Sequence, residues 1–188
     1  YVTRSMTEQR TEHFVLRYDP SEYAVHSRFL PDLLEECWDD MTRRYGFEPR
    51  VPVLVEVFRR ADDFSVRTLG VPGIPALGAC FGGLITLDSP QALPTGAFLW
   101  ASTARHEFAH VISLQLSEGQ VPRWFTEGLA VHEQRTARAD WGMKVSPAWL
   151  QAFESGRLHP VSRLNEGFVR PDYPEQVVFS YYEASLVL

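Results

Sequence analysis

Alternating apolar and polar positions open the chain and predict an early strand. Across residues 11–18 every second side chain is apolar, which is typical of a strand with one buried face. Across residues 21–45 apolar side chains instead recur every three to four positions, which predicts a helix that ends at Gly46. We expect Pro31 to start or kink that helix. The chain therefore begins as a strand followed by a long helix.

The pattern then predicts two more strands and a short helix. Residues 51–58 are rich in β-branched side chains and predict a strand, and residues 61–69 predict a helix. Residues 79–87 predict a third strand that Gly82 and Gly83 interrupt. Glycines weaken a strand unless another backbone must approach it closely.

Helical spacing dominates the second half of the chain. The predicted helices cover about residues 97–116, 122–138, 147–154 and 176 to the end. Pro122 suits a first helical turn. The last apolar pattern runs to Leu188 without a stop residue, so we expect the natural protein to continue.

These elements predict an α+β fold in one domain over residues 1–188. A small N-terminal sheet with helices occupies residues 1–95, and a mainly helical half occupies residues 96–188. The chain is 45% hydrophobic, which suits a globular core, and has no apolar run long enough to span a bilayer.

The charge of the chain argues against nucleic acid as a partner. The formal net charge is -6 and the 18 basic residues are scattered, so no basic stripe for nucleic acid is present.

Two cysteines, Cys37 and Cys80, are too few for a disulfide framework. We expect buried thiols there, while a single bridge between them stays open as an alternative.

His106, Glu107 and His110 form the pattern H-E-F-A-H inside a predicted helix. Side chains at positions i and i+4 share a helix face, so both imidazoles can bind one metal ion. Glu107 lies about 100° round the helix axis and can reach a metal-bound water. A chain of this composition contains the pattern roughly 0.015 times by chance, so coincidence is disfavoured.

A catalytic zinc site needs a third protein ligand and an open position for water. Glu127 is the preferred candidate, because it lies on the next predicted helix and a turn at residues 117–120 would bring that helix back to the histidines. Glu118 is the alternative, but it lies in the turn itself, where a solvated charge is expected. The sequence therefore predicts one Zn²⁺ ion held by His106, His110 and a glutamate.

The sequence HEFAH followed by PRWFTEGLA resembles the gluzincin branch of zinc metallopeptidases, and most closely the bacterial peptidase MA-like family. The positions that match the family's second segment are Trp124, Glu127, Gly128 and Ala130. The resemblance covers most of the chain, including a Gly-Gly-x-Ile-x-Leu strand at residues 82–87. It implies a thermolysin-like architecture, and we expect zinc at the junction of the two halves.

The resemblance implies a zinc metallopeptidase that acts on peptides or proteins. Glu107 would be the general base, and a tyrosine or histidine on a later helix would stabilise the oxyanion. Tyr182 matches the family's Tyr-x-x-Ser/Ala segment, Tyr181 is its near rival, and His159 is a less favoured donor. The alternative function is a non-catalytic, zinc-containing module that binds peptides or acts as a scaffold, and the intact Glu107 argues against it.

The resemblance also bears on substrate binding and on the longer protein. In related enzymes the strand before the zinc helix is a sheet edge that pairs with extended substrate, so Gly82 and Gly83 are candidate substrate-binding positions. A bulge without a ligand explains these glycines equally well. Family members often carry tetratricopeptide repeats after the peptidase domain, which would suit a C-terminal repeat domain here. The family favours an exported bacterial protein, and the sequence otherwise leaves localisation open.

Overall fold

A computed structural model describes residues 3, 5–73, 76–92 and 99–188 of the chain. The chain forms two compact units, residues 1–119 and residues 120–188. In the described residues the first unit holds a mixed β-sheet and three helices, and the second unit is helical. The predicted α+β class is therefore confirmed.

The described elements follow one another along the chain as β1 (Thr7–Arg10), β2 (Phe14–Tyr18), α1 (Tyr23–Tyr45), β3 (Val53–Phe58), α2 (Ala61–Leu69), β4 (Gly78–Cys80), β5 (Leu84–Asp88), α3 (Trp100–Leu116), α4 (Arg123–Ala137), α5 (Pro147–Glu154), α6 (Leu164–Val169) and α7 (Gln176–Val187). Short 3-10 turns lie at Ala139–Trp141 and Val161–Arg163. Within the described ranges, no helix combines the length and the apolar character that a membrane span requires.

The sheet of the first unit has the strand order β1-β2-β3-β5-β4. Strands β2, β3 and β5 are parallel, whereas the edge strands β1 and β4 run antiparallel to their neighbours. Leu16, Val55 and Ile85 are cross-strand partners in the central three strands, and all three are fully buried. Central strands of this kind read as nearly continuous apolar runs because helices cover both faces.

Aromatic contacts show which helices cover each face of the sheet. The Phe14 ring of β2 packs edge-on against Trp38 of α1 and Phe108 of α3, with centroid distances of 6.1 and 5.6 Å. On the opposite face, Phe58 of β3 packs against Phe64 of α2 at 6.5 Å. Helix α3, which carries the H-E-F-A-H pattern, is thus anchored to the sheet by its apolar side.

The helix predictions are close to the structure, although they differ from it in some details. Helix α1 ends at Gly46, whose φ of 60° is left-handed, as the sequence predicts. Pro31 lies inside α1 and does not start it, and the expected kink stays a prediction. The predicted start near residue 97 lies outside the described residues, which show α3 from Trp100. The six-residue helix α6 was not predicted.

The prediction of one strand over residues 79–87 is wrong. Strands β4 and β5 are separate, pair antiparallel, and are joined by a turn that contains Gly82 and Gly83. Gly82 has a φ of 77°, a left-handed conformation that glycine adopts without strain. The apolar run continues through the turn, so its pattern alone cannot show the reversal.

Both cysteines are free thiols. Cys37 of α1 is buried, and burial raises the pKa of its thiol to about 11. Cys80 of β4 is half-buried, and its pKa is also raised, first by burial and then by the nearby charge of Glu107. The disulfide alternative is therefore absent, and both thiols are poor nucleophiles at neutral pH.

Candidate metal centre

Helix α3 presents His106 and His110 one turn apart. Their imidazole centroids are 4.8 Å from each other and the rings are nearly perpendicular, at 80°. His106 is half-buried and His110 is buried. Phe108, which is fully buried against the sheet, lies two positions from each histidine and so on the other side of the helix. Packing of Phe108 therefore leaves the two imidazoles on the face turned away from the sheet.

An ion pair fixes the helix next to the first histidine. Arg105 is buried, and its guanidinium lies 2.5 Å from the Asp40 carboxylate of α1. Hydrogen bonds from Arg44 and Arg105 lower the pKa of Asp40 to about 2. Asp40 is thus ionised at any physiological pH. This pair ties α3 to α1 at the residue that precedes His106.

Glu107 is buried and lies directly against the edge strand β4. A Cβ atom on Gly78 would come within 2.6 Å of its Oε1 atom and within 2.8 Å of its Cγ atom. A side chain at position 78 would force the Glu107 side chain to move. Gly78 is therefore a positioning residue for Glu107, and sequence reasoning missed it, because no local pattern links the two.

Glu127 lies on α4 and is buried, although the Arg123 guanidinium one turn earlier reaches it. Arg123 Nε donates to Glu127 Oε1 at 3.3 Å, and half of the Arg123 side chain is exposed. The next residue, Gly128, touches the backbone of α7. A Cβ atom there would lie 2.7 Å from both the carbonyl carbon and the oxygen of Ala184. This close approach sets the position of the turn that carries Glu127.

The structure brings the three predicted ligands together. The ligand atoms of His106, His110 and Glu127 all lie within 4.8 Å of one another. Two imidazoles and one carboxylate are a donor set that zinc favours. Glu118, the alternative ligand, is exposed beyond the end of α3 and does not belong to this group. These three residues form a group that could hold a metal ion.

The candidate oxyanion donors lie in aromatic packing within the second unit. Tyr182 packs edge-on against Trp149 at 5.2 Å, and Tyr181 packs edge-on against Phe168 at 5.1 Å. Both tyrosines are half-buried. His159 is half-buried as well, and its Nε2 atom is 3.0 Å from the side-chain nitrogen of Gln176. None of these contacts selects a donor, so the role of Tyr182 stays a prediction.

Helix α7 contains one acidic residue, Glu183, which is buried. Glu183 is 9% exposed, and burial raises the pKa of its carboxyl group to about 7. It directly follows Tyr182 and directly precedes Ala184, the residue that Gly128 touches. Its burial results from the packing of α7 in the second unit, which no local pattern reveals.

Gly82 and Gly83 shape a turn rather than a sheet edge. Gly83 accepts a hydrogen bond from the backbone of Leu54 at 3.0 Å, and Gly82 accepts one from the Gln115 side chain at 3.0 Å. The outer strand of the sheet on this side is β4. Pairing with an extended substrate would thus fall on Gly78–Cys80, and the substrate-binding role of the two glycines stays a prediction.

Comparison with known proteins found no matching protein family, no similar curated protein and no similar solved structure. The resemblance to gluzincins thus rests on the sequence motifs alone.

Proposed function

We propose that this chain is a zinc-dependent metallopeptidase with a thermolysin-like gluzincin architecture. One observation carries the proposal: the ligand atoms of His106, His110 and Glu127 lie within 4.8 Å of one another, with Glu107 on the same helix as the histidines. A purely structural metal would not need this fourth residue. The H-E-x-x-H pattern and the Glu127 segment of the sequence support the same assignment.

The donor set fits zinc in its catalytic form. Structural zinc sites are closed by four protein ligands, often cysteines, whereas catalytic sites use three protein ligands and keep one position open. Among the residues that the structure describes, the cluster has three ligands and no cysteine. Zinc bound there would supply a water of lowered pKa and a Lewis acid that polarises a peptide carbonyl.

Glu107 would move the proton in this reaction. Its carboxylate accepts a proton from the attacking water and then donates it to the leaving amine. The role requires a carboxylate held in a fixed position. Burial against β4 and the missing side chain at Gly78 together provide that position.

The remaining residues hold the reacting groups in place. Arg123 orients the carboxylate of Glu127 through the 3.3 Å contact. The outer strand β4 offers backbone groups to which an extended peptide can add as a further strand. Tyr182 would donate a hydrogen bond to the oxyanion, as the family motif implies.

The test compares Glu107→Gln with Glu154→Gln, the same chemical change at an exposed position of α5. Each purified protein is incubated with an unfolded polypeptide mixture, new chain termini are counted by mass spectrometry, and zinc is measured in parallel. We expect Glu107→Gln to retain zinc and to lose roughly 100-fold or more in cleavage rate. Glu154→Gln should match the wild type. A fully active Glu107→Gln protein would contradict the proposed base.

A further inference from the structure

A second pocket lies in the first unit, apart from the metal ligands. Its volume is about 570 Å³, which is within the range of small-molecule sites. Three segments line it: the loop before β3, the turn between β4 and β5, and the end of α3. The lining residues are Arg50, Val51, Pro52, Phe81, Gly82, Gly83, Leu114, Gln115 and Glu118.

Hydrogen bonds of the Gln115 side chain connect these three segments. Its side-chain oxygen accepts a hydrogen bond from the backbone N–H of Arg50 at 2.7 Å, and its side-chain nitrogen donates to the carbonyl of Gly82 at 3.0 Å. Both ends of the amide are thus used inside the protein. The pocket wall is preformed, which lowers the entropy that a ligand must lose on binding.

Two opposite charges line the pocket without neutralising each other. Arg50 and Glu118 both line the pocket, and within the described part of the chain neither side chain forms an ion pair. Both side chains belong to exposed residues. The pocket therefore offers one cationic and one anionic group to a ligand.

Glu118, one of the residues that line the pocket, has a strained backbone conformation. Its φ is 53°, the one positive φ of a non-glycine residue in the ranges that the structure describes. Glycine or asparagine is the usual residue at such a helix end. Strained residues of this kind cluster at binding sites, because the surrounding structure must hold them there.

Apolar side chains complete the lining. Phe81 and Val51 are each 54% exposed although both border the pocket. A ligand with an apolar body would cover part of this surface, and its burial would add to the binding energy.

We propose that this pocket binds a short peptide with free termini. The α-carboxylate pairs with Arg50, the α-ammonium group pairs with Glu118, and an apolar side chain lies against Phe81 and Val51. Peptides with both termini free are also the products of peptide hydrolysis, and only that link rests on the proposed function. Binding itself requires neither zinc nor catalysis.

The test is an NMR titration of the isotope-labelled Glu107→Gln chain with the dipeptide Leu-Leu, which keeps the probe intact. The amide signals of Gly82 and Gly83 should shift, which places the ligand in this pocket and not at the metal ligands. N-acetyl-Leu-Leu and Leu-Leu amide each lack one terminal charge, and each should bind about tenfold or more weakly. Equal binding of all three probes, or no shift at millimolar Leu-Leu, would overturn the proposal.

Variants separate a binding role from a structural one. Arg50→Gln and Glu118→Gln should each weaken Leu-Leu about tenfold, whereas Arg28→Gln, an exposed arginine of α1, should not. Glu118→Gly should lose binding and yet raise the melting temperature, because glycine adopts the left-handed backbone without strain. Unchanged binding in Arg50→Gln and Glu118→Gln would refute the site. The zinc content of these variants should equal that of the wild type, so a failure here leaves the proposed hydrolysis to its own test.

Discussion

Replacing Gly128 with alanine tests how the third ligand is held. In an isolated helix this change would stabilise α4 by roughly 1 kcal/mol, because alanine is the better helix former. In this protein the added methyl group would lie 2.7 Å from the carbonyl carbon and oxygen of Ala184. These are backbone atoms of α7 and cannot rotate away.

The size of the effect follows from that distance. Ordinary contact begins at 3.4 Å, so the α4 and α7 backbones must separate by about 0.7 Å at this point. Overpacking of this kind costs about 1–3 kcal/mol. After the gain in helix propensity, we expect a net destabilisation of about 1 kcal/mol, equivalent to a drop in melting temperature of about 2–4 °C. Glu127, one residue earlier, moves with the helix, and we expect zinc affinity to fall about 10-fold or more.

The assay is thermal unfolding of the zinc-free protein, followed by a zinc titration against a competing chelator. The double variant Gly128→Ala with Ala184→Gly is the control: it removes one side-chain contact at 2.9 Å but leaves the backbone contacts at 2.7 Å, so it should not restore zinc affinity. A higher melting temperature and unchanged zinc affinity in Gly128→Ala would refute the close helix approach.

Three further predictions address other parts of the molecule. Gly78→Ala should keep zinc and lose peptide cleavage, because its methyl group would lie 2.6 Å from the Oε1 atom of Glu107 and displace the carboxylate; metal analysis beside a cleavage assay checks this. Burial raises the pKa of Asp88 from 3.8 to about 7, so between about pH 4 and 7 the folded state keeps a proton that the unfolded state releases. The free energy of unfolding should therefore fall as pH rises, by up to about 1.4 kcal/mol per pH unit, and Asp88→Asn should flatten this slope in urea unfolding. Glu118→Gly should raise the free energy of unfolding by about 1 kcal/mol, and a lower value would contradict the strain at that residue.

Helix ends with local signals could be predicted from the sequence. Helix α2 covers Ala61–Leu69, as predicted, because Gly70 follows it in a left-handed conformation with a φ of 79°. Helix α5 covers Pro147–Glu154, because Ser146 caps it by accepting a hydrogen bond from the backbone of Trp149. Each of these signals lies directly next to the helix that it starts or ends.

Elements that depend on distant contacts could not be predicted. Helix α6 is short and contains Gly167, and glycine disfavours the interior of a helix. In the structure this glycine makes room for Ser180 of α7, whose Oγ atom would clash with a Cβ at position 167. The turn at Gly82 was missed because its direction depends on the pairing of β4 with β5.

The residues of the candidate site show the same difference between local patterns and distant contacts. His106 and His110 could be identified because their spacing matches one helical turn, and Glu127 because a turn was expected between two helices. Gly78 was missed, since its role is visible only where β4 meets Glu107. Periodicity thus reveals the ligands, whereas three-dimensional contacts reveal the residues that position them.

Zinc content tests the central claim most directly. We would measure zinc per chain by elemental mass spectrometry on protein purified without a metal-affinity tag, for the wild type, Glu127→Ala and the exposed control Glu154→Ala. We expect about one zinc per chain in the wild type and the control, and much less in Glu127→Ala. No zinc in the wild type, even after dialysis against it, would contradict the metal centre and with it the peptidase proposal.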